Sequence, residues 1–154
     1  MYRRAIPTAI AAAATLALTF SIGLAAGSSQ RALAVRVQLS GANEVVAATS
    51  CAPPSVCGDP DASGTAIIVV VPANDLVCWK LTWEGIAEPV TAAHIHGPGT
   101  TTQQVGVLVP LTTDPAMGCT HDADADAIAA NPAMYYVNVH STAFPVGAIR
   151  AQLG

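Results

Sequence analysis

Short stretches of alternating apolar and polar residues dominate the chain after its first 34 residues. In VRVQLS, Val35, Val37 and Leu39 fall on one face of an extended strand and the polar residues on the other. Similar segments recur to the end of the chain, separated by turns rich in Gly, Pro, Asp and Thr. The pattern predicts further strands in TAIIVVV, LVCWKLTW, VTAAHIH, QVGVLV, MYYVNVH and GAIRAQL.

Two segments depart from simple alternation. TAIIVVV is a continuous β-branched run, which is typical of a strand buried on both sides or of one very rich in Val. HDADADAIAANPA predicts one short helix, with Asp122 as N-cap and Asn131 and Pro132 as its end. An EF-hand loop beginning at Asp122 is excluded, because positions 127 and 133 are alanine instead of the required Gly and Glu.

About seven short strands and a single helix favour an all-β fold. We expect an antiparallel β-sandwich over residues 35–154, with long loops near 41–63 and 110–122.

The amino-terminal 34 residues have the layout of a secretory signal peptide. MYRR is positively charged, and an uncharged apolar stretch and small residues follow. Cleavage after Ala26 or after Ala34 fits this layout. An uncleaved anchor is the alternative, because the stretch is long enough to span a bilayer, although its Ala and Thr content favours cleavage. We therefore expect a secreted or cell-envelope location.

The charge balance of the mature part restricts its partners. All ten acids but only three of the six cations follow residue 34, which leaves a net charge of −7. Such a surface repels nucleic acid and anionic lipid, so neither is expected as a partner. A metal ion or a cationic partner is favoured, and the sequence identifies no protein partner.

Four cysteines follow the leader, at positions Cys51, Cys57, Cys78 and Cys119. An oxidising compartment favours two disulfides, and three pairings are possible. Cys51 with Cys57 would close a small loop, and Cys78 with Cys119 would then tie a strand to a distant loop. A zinc site is the weaker alternative, because no Cys-x-x-Cys is present.

Three of the four histidines lie at the ends of predicted strands. His94 and His96 share one face of VTAAHIH, about 7 Å apart, and His140 shares a face of MYYVNVH with Tyr136 and Asn138. If the two strands are neighbours, the three imidazoles form a three-nitrogen metal site. Imidazole suits zinc and copper, and the lack of a carboxylate or thiolate favours copper. Alternatively, the rings only hydrogen-bond carbonyls or hydroxyls and are structural.

Three further side chains are candidates for the same site. His121 is either a fourth ligand or an ordinary surface histidine. Arg150 could draw an anion toward a metal, or form a salt bridge to Glu44 or Glu84. Glu44 could instead accept a hydrogen bond from a histidine N–H.

The segments LSGANEV, AAHIHGPG and NPAMYYVNVHSTAFPVGAIRAQLG together resemble the CHRD domain, over about residues 35–154. Two departures are the missing prolines after Glu44 and Ala151 in place of a common glycine. The resemblance implies an extracytoplasmic module. Growth-factor binding, known for chordin, does not carry over, because the cysteine-rich repeats that accompany the domain there are missing from this sequence.

A fainter similarity concerns the site. His94-x-His96 followed by Gly, a distant strand-end His140, a disulfide and the late Arg150 are similar to the copper site of copper/zinc superoxide dismutases, which are Greek-key β-sandwiches. This likeness implies copper on the three histidines, with Arg150 guiding superoxide. No zinc-binding loop is evident, so a copper-only form is implied.

The sequence thus leaves two functions open. The first is a secreted copper-binding protein with superoxide dismutase-like activity, and the second is a non-catalytic extracellular adhesion or envelope module. Signatures of a classical hydrolase, a phosphate loop or a dinucleotide site are absent from the sequence.

Overall fold

The computed structural model describes residues 31–45, 57–86 and 89–154. Most of the predicted signal peptide lies outside these ranges. Within them, no helix is long and apolar enough to cross a membrane. The described chain contains one α-helix, α1 (Ala125–Ala130), and eight strands: β1 (Leu33–Ser40), β2 (Ser63–Val71), β3 (Leu76–Glu84), β4 (Val90–His96), β5 (Val107–Leu111), β6 (Met117–His121), β7 (Tyr136–Ser141) and β8 (Ile149–Gln152).

The strands form one antiparallel sheet in the order β5-β4-β7-β8-β1-β2-β3-β6. Its two four-stranded halves are joined where Ser40 of β1 pairs with Arg150 of β8. The chain crosses between the halves after β3, β5 and β6, which puts β6 beside β3 and β7 beside β4. Apolar side chains of both halves form a single buried cluster. The predicted antiparallel Greek-key β-sandwich with one short helix is therefore confirmed.

Strand β2 is buried on one face only. Ala66, Ile68 and Val70 are fully buried, whereas Ile67 between them is 38% exposed. The interpretation of TAIIVVV as a strand buried on both sides is therefore wrong, and the run is an ordinary half-buried strand rich in Val and Ile.

Strand β6 was not predicted, because residues 110–122 were expected to form a loop. Its sequence, MGCTH, has no apolar alternation, and its burial alternates only between exposed and half-buried. The strand forms by pairing with β3, and this pairing sets Cys119 directly opposite Cys78. The two cysteines form a disulfide across the strand pair, with a Cα–Cα distance of 4.0 Å. Cys57 is also disulfide-bonded, but its predicted partner Cys51 lies outside the described residues.

Two other predicted boundaries are wrong by a few residues. The helix begins at Ala125, with Asp124 at the N-cap position. The Asp122 carboxylate instead accepts a hydrogen bond from the Asp124 backbone N–H at 3.0 Å, which makes a turn before the helix. Strand β5 occupies Val107–Leu111, further along the chain than the predicted QVGVLV segment.

Candidate metal centre

Strands β4 and β7 bring the three predicted histidines to one face of the sheet. Along β4, Ala93 and Ile95 pack into the core, so His94 and His96 point to the opposite face. Along β7, buried Val137 and Val139 similarly direct Tyr136, Asn138 and His140 outward from the core. The two strands are antiparallel neighbours, with His94 opposite Asn138 and His96 opposite Tyr136. His140 is therefore diagonal to His94.

The imidazole rings converge. One potential ligand atom from each of His94, His96 and His140 lies within 4.8 Å of the other two. The shortest approach is 3.0 Å, between Nδ1 of His94 and Nε2 of His140. Ring centroids are 4.9 Å apart for that pair and 5.5 Å apart for His94 and His96. Among the residues that the structure describes, the group of three or more His, Cys, Asp or Glu side chains close enough to hold a metal ion consists of these three histidines.

Backbone carbonyls fix which nitrogen of each ring faces the cluster. His140 donates its Nδ1–H to the Pro145 carbonyl at 3.1 Å, which leaves the lone pair of Nε2 pointing at His94. Nδ1 of His96 lies 2.9 Å from the Val105 carbonyl, and its Nε2 is the inward nitrogen. A carbonyl can only accept a hydrogen bond, so the Pro145 contact sets the tautomer of His140, whereas that of His96 also depends on its contact with Asn138. His94 then donates its Nδ1–H to Nε2 of His140.

The inward nitrogen of His96 also meets Asn138. Its Nε2 lies 3.0 Å from Asn138 Oδ1, so both ring nitrogens face oxygen atoms. A neutral His96 can donate to only one of them. With its oxygen toward His96, Asn138 keeps its N–H for the Glu44 carboxyl, whereas a 180° turn of the amide would present an N–H to Nε2 and an oxygen to Glu44. In either orientation Asn138 occupies the place beside Nε2 that a metal ion would need.

Behind Asn138 lies a buried acid. Glu44 is 8% exposed, and Oε1 of its carboxyl has no hydrogen-bond partner among the described residues. Burial raises the pKa of Glu44 to about 7, against the opposing effects of the Arg150 charge and of hydrogen bonds from Asn138 and Val45. Glu44 thus contacts Asn138, which in turn meets His96.

The histidine cluster favours neutral rings. Burial, followed by the charges of His140 and His96, lowers the pKa of His94 to about 4. Burial also lowers the pKa of His140, partly offset by its hydrogen bond to Pro145. Neutral imidazoles keep the lone pairs that metal coordination requires. His94 is therefore neutral well below neutral pH, and burial favours the neutral ring of His140 as well.

Arg150 lies near the cluster but is closed to solvent. It is 2% exposed, and its guanidinium is 3.4 Å from the centroid of the Tyr136 ring. Its N–H groups donate to the carbonyls of Thr100 and Gln103, both at 2.9 Å. An anion arriving from solvent does not meet this guanidinium, and anion guidance stays a prediction without structural support. Arg150 is close enough to Glu44 for their charges to interact.

His121 is not part of the cluster. It lies on β6, at the end of the sheet order opposite β5 and β4, and it is exposed. Its Nδ1 donates to the Asn74 carbonyl at 3.0 Å. The interpretation of His121 as a surface histidine therefore fits its position, and the fourth-ligand alternative does not.

Sequence reasoning missed the groups that orient the rings. The Val105 and Pro145 carbonyls belong to loops, and a backbone carbonyl leaves no signal in the sequence. Asn138 had a signal, because strand alternation puts it on the face of His140. Tyr136 was placed on that face too, but its stacking on His96, at 4.8 Å and nearly parallel, depends on the non-local pairing of β4 and β7.

Comparison with protein families decides the identity of this domain. The model of the CHRD domain family matches residues 35–153. The chain belongs to the CHRD domain family. No curated protein and no solved structure matches it in the same comparisons. The function of this CHRD domain must therefore be argued from its own residues.

The matched range contains all three clustered histidines, Glu44 and Arg150. It also contains the Cys78–Cys119 disulfide. Disulfides persist in oxidising compartments, so a CHRD domain with this bridge is compatible with an extracellular location.

Proposed function

We propose that this CHRD domain is an exported protein that binds one copper ion through His94, His96 and His140. The supporting observation is the convergence of three imidazoles from two strands, with ligand atoms within 4.8 Å of one another. Gathering three rings at one place is unnecessary for the sandwich itself. The Pro145 carbonyl also fixes the tautomer of His140, with the lone pair of Nε2 left facing His94.

The donor set and its dimensions fit a metal ion with a small adjustment. Metal–nitrogen bonds of about 2.0–2.1 Å hold two nitrogens at most about 4.2 Å apart. The 3.0 Å separation of His94 Nδ1 and His140 Nε2 satisfies this limit. A pair near the 4.8 Å bound must close by at least about 0.6 Å to reach this limit, and Asn138 must release Nε2 of His96. An ion would replace the proton between His94 and His140.

An all-imidazole donor set suits both zinc and copper, and we propose copper because the arrangement of the histidines is similar to the copper site of copper/zinc superoxide dismutases. Copper supplies one-electron redox chemistry when bound. His94 is half-buried, whereas His96 and His140 are buried, so a small substrate would approach along His94. Superoxide dismutation is the activity we propose for this site.

Metal binding is tested by copper titration of wild type and His140→Ala, with metal content measured after dialysis. We expect one tightly bound copper per wild-type chain and loss of that site in the variant. His121→Ala is the matched control, because it removes an exposed histidine outside the cluster. Equal uptake by wild type and His140→Ala would contradict the proposal.

Dismutation is tested separately, by comparing the rate of superoxide loss with copper-loaded protein and with the same concentration of free copper. A rate no higher than that of free copper would exclude the activity and leave copper binding intact.

A non-catalytic extracellular adhesion or envelope module is the second candidate. It is favoured by one observation, namely that all three clustered rings already have hydrogen-bond partners within the protein. In that case His94→Ala would lower stability, and protein purified from its native host would contain no stoichiometric metal.

Export itself is tested by amino-terminal sequencing of the protein recovered outside the cytoplasm. A mature start at residue 27 or 35 supports the proposed leader, and an intact amino terminus in the membrane fraction supports an anchor instead.

A further inference from the structure

Arg150 connects the loop between β4 and β5 to the sheet. Its two guanidinium nitrogens donate to the carbonyls of Gln103 and Thr100, both at 2.9 Å. Gln152, two residues along β8, donates to the Gly99 carbonyl at 2.7 Å. The planar fork of an arginine can hold two carbonyls at once, which the ammonium of a lysine cannot match. These contacts fix the course of residues 99–103.

The end of the same loop holds His96. The Val105 carbonyl accepts the Nδ1–H of His96 at 2.9 Å, and the Val105 N–H donates to the Tyr136 hydroxyl at 3.1 Å. The position of this carbonyl, and therefore the tautomer of His96, depends on where the loop runs. Arg150 anchors the loop two residues before Val105.

Arg150 also reaches His96 through a stack of side chains. The guanidinium lies 3.4 Å from the Tyr136 ring centroid on one side. The His96 ring stacks on the Tyr136 ring, with the two centroids 4.8 Å apart and an interplanar angle of 3°. Tyr136 is 1% exposed and Arg150 is 2% exposed, so water does not compete for these contacts. The stack restrains the plane of the His96 ring.

From these contacts we infer that Arg150 is a positioning residue for the metal centre. It acts through the 99–105 loop and the Tyr136 ring to hold His96 in one plane, with Nδ1 against the Val105 carbonyl, so that the proton stays on Nδ1 and Nε2 stays beside Asn138. This role replaces anion guidance, which requires a guanidinium open to solvent. The inference rests on the proposed copper site for its consequence, but the positioning of His96 itself is a property of the metal-free protein.

The test compares wild type with Arg150→Lys, which keeps the charge and loses the planar fork. Long-range 1H–15N NMR of the metal-free proteins reports the tautomer of each histidine. We expect His96 to carry its proton on Nδ1 in wild type and to become a mixture of tautomers in Arg150→Lys. His140, held by Pro145, should stay unchanged and serves as the internal control. A purely structural role of Arg150 would leave the His96 tautomer unaltered in the folded fraction.

Copper affinity gives the second readout. Orienting partners of metal ligands are typically worth about 10–100-fold in affinity, and we expect a loss of that size in Arg150→Lys. Arg36→Lys, the same change at an exposed position on β1, should bind like wild type. If Arg150→Lys does not fold, hydrogen exchange of the wild-type amides tests the inference instead. A loop held by Arg150 should protect the Val105 N–H strongly against exchange. An unprotected Val105 amide would overturn the inference.

The outcomes separate the two proposals. If wild type binds no copper, the proposed function is contradicted, and the tautomer comparison still tests whether Arg150 positions His96. If wild type binds copper and Arg150→Lys changes neither the His96 tautomer nor the copper affinity, the positioning role of Arg150 is contradicted and the proposed copper site is not.

Discussion

Replacing the buried Glu44 with glutamine should change how the stability of the metal-free domain depends on pH. The pKa of Glu44 is raised from 4.5 to about 7 in the folded protein. Between these values the folded state binds more protons than the unfolded state, so the contribution of Glu44 to stability falls as pH rises through this window. At about 1.36 kcal/mol per pH unit, the loss is about 3 kcal/mol. Glutamine has no such loss.

We therefore expect the free energy of unfolding of Glu44→Gln, minus that of wild type, to grow by about 3 kcal/mol from about pH 4 to about pH 8. The His94 contribution has the opposite sign, because its pKa is lowered to about 4 and its stability is lost as pH falls below 6.5. That contribution is common to both proteins and cancels in the difference. Urea unfolding with a chelator present, at a series of pH values, measures the quantity.

Glu84→Gln is the matched control, because it makes the same chemical change at an exposed end of β3. A difference between Glu44→Gln and wild type that stays constant with pH would refute the reasoning. It would mean that water or a counter-charge solvates the carboxyl and that burial does not raise its pKa.

Three further predictions follow from the same structure. Replacing Cys78 and Cys119 with serine opens a loop of sequence separation 41 and should lower the free energy of unfolding by about 4 kcal/mol, measured by denaturant titration. Gly147→Ala should destabilise the domain by about 1–3 kcal/mol, because Gly147 has φ +144° and a Cβ there would lie 2.5 Å from the Glu44 carboxyl; a melting temperature equal to that of wild type would contradict this. The rate of superoxide dismutation should rise with ionic strength, because salt screens the repulsion between a net negative protein and the superoxide anion, and Arg150 is covered. A rate that falls with ionic strength would instead support the guidance of superoxide by Arg150.

The strands were predictable where burial follows a simple period. One-sided burial imposes a period of two, so the faces of β4 and β7 followed from the sequence, with Ile95 and Val139 inside and His96 and His140 outside. Strand β6 has no such period, because its contacts come from pairing with β3 and from the disulfide. Its existence depends on a partner 41 residues away in sequence, which local pattern does not contain.

The histidine cluster was predictable in its members but not in its surroundings. Side-chain type and strand alternation pointed to the three histidines, whereas their meeting depends on the non-local pairing of β4 with β7. The surroundings of Arg150 were missed for a related reason. A cation in an acidic sequence suggests an exposed charge, and only the fold reveals that the 99–105 loop covers it and accepts its hydrogen bonds.

The central claim is that three imidazoles from two strands coordinate one copper ion. X-ray absorption spectroscopy of copper-loaded protein measures the atoms around the metal most directly. The account predicts histidine nitrogen scattering at about 2.0 Å that corresponds to three rings in wild type and in His121→Ala. His140→Ala, which loses the tight site, should show at most two rings in whatever copper it takes up from an excess. A spectrum dominated by oxygen ligands, identical in wild type and His140→Ala, would contradict the claim.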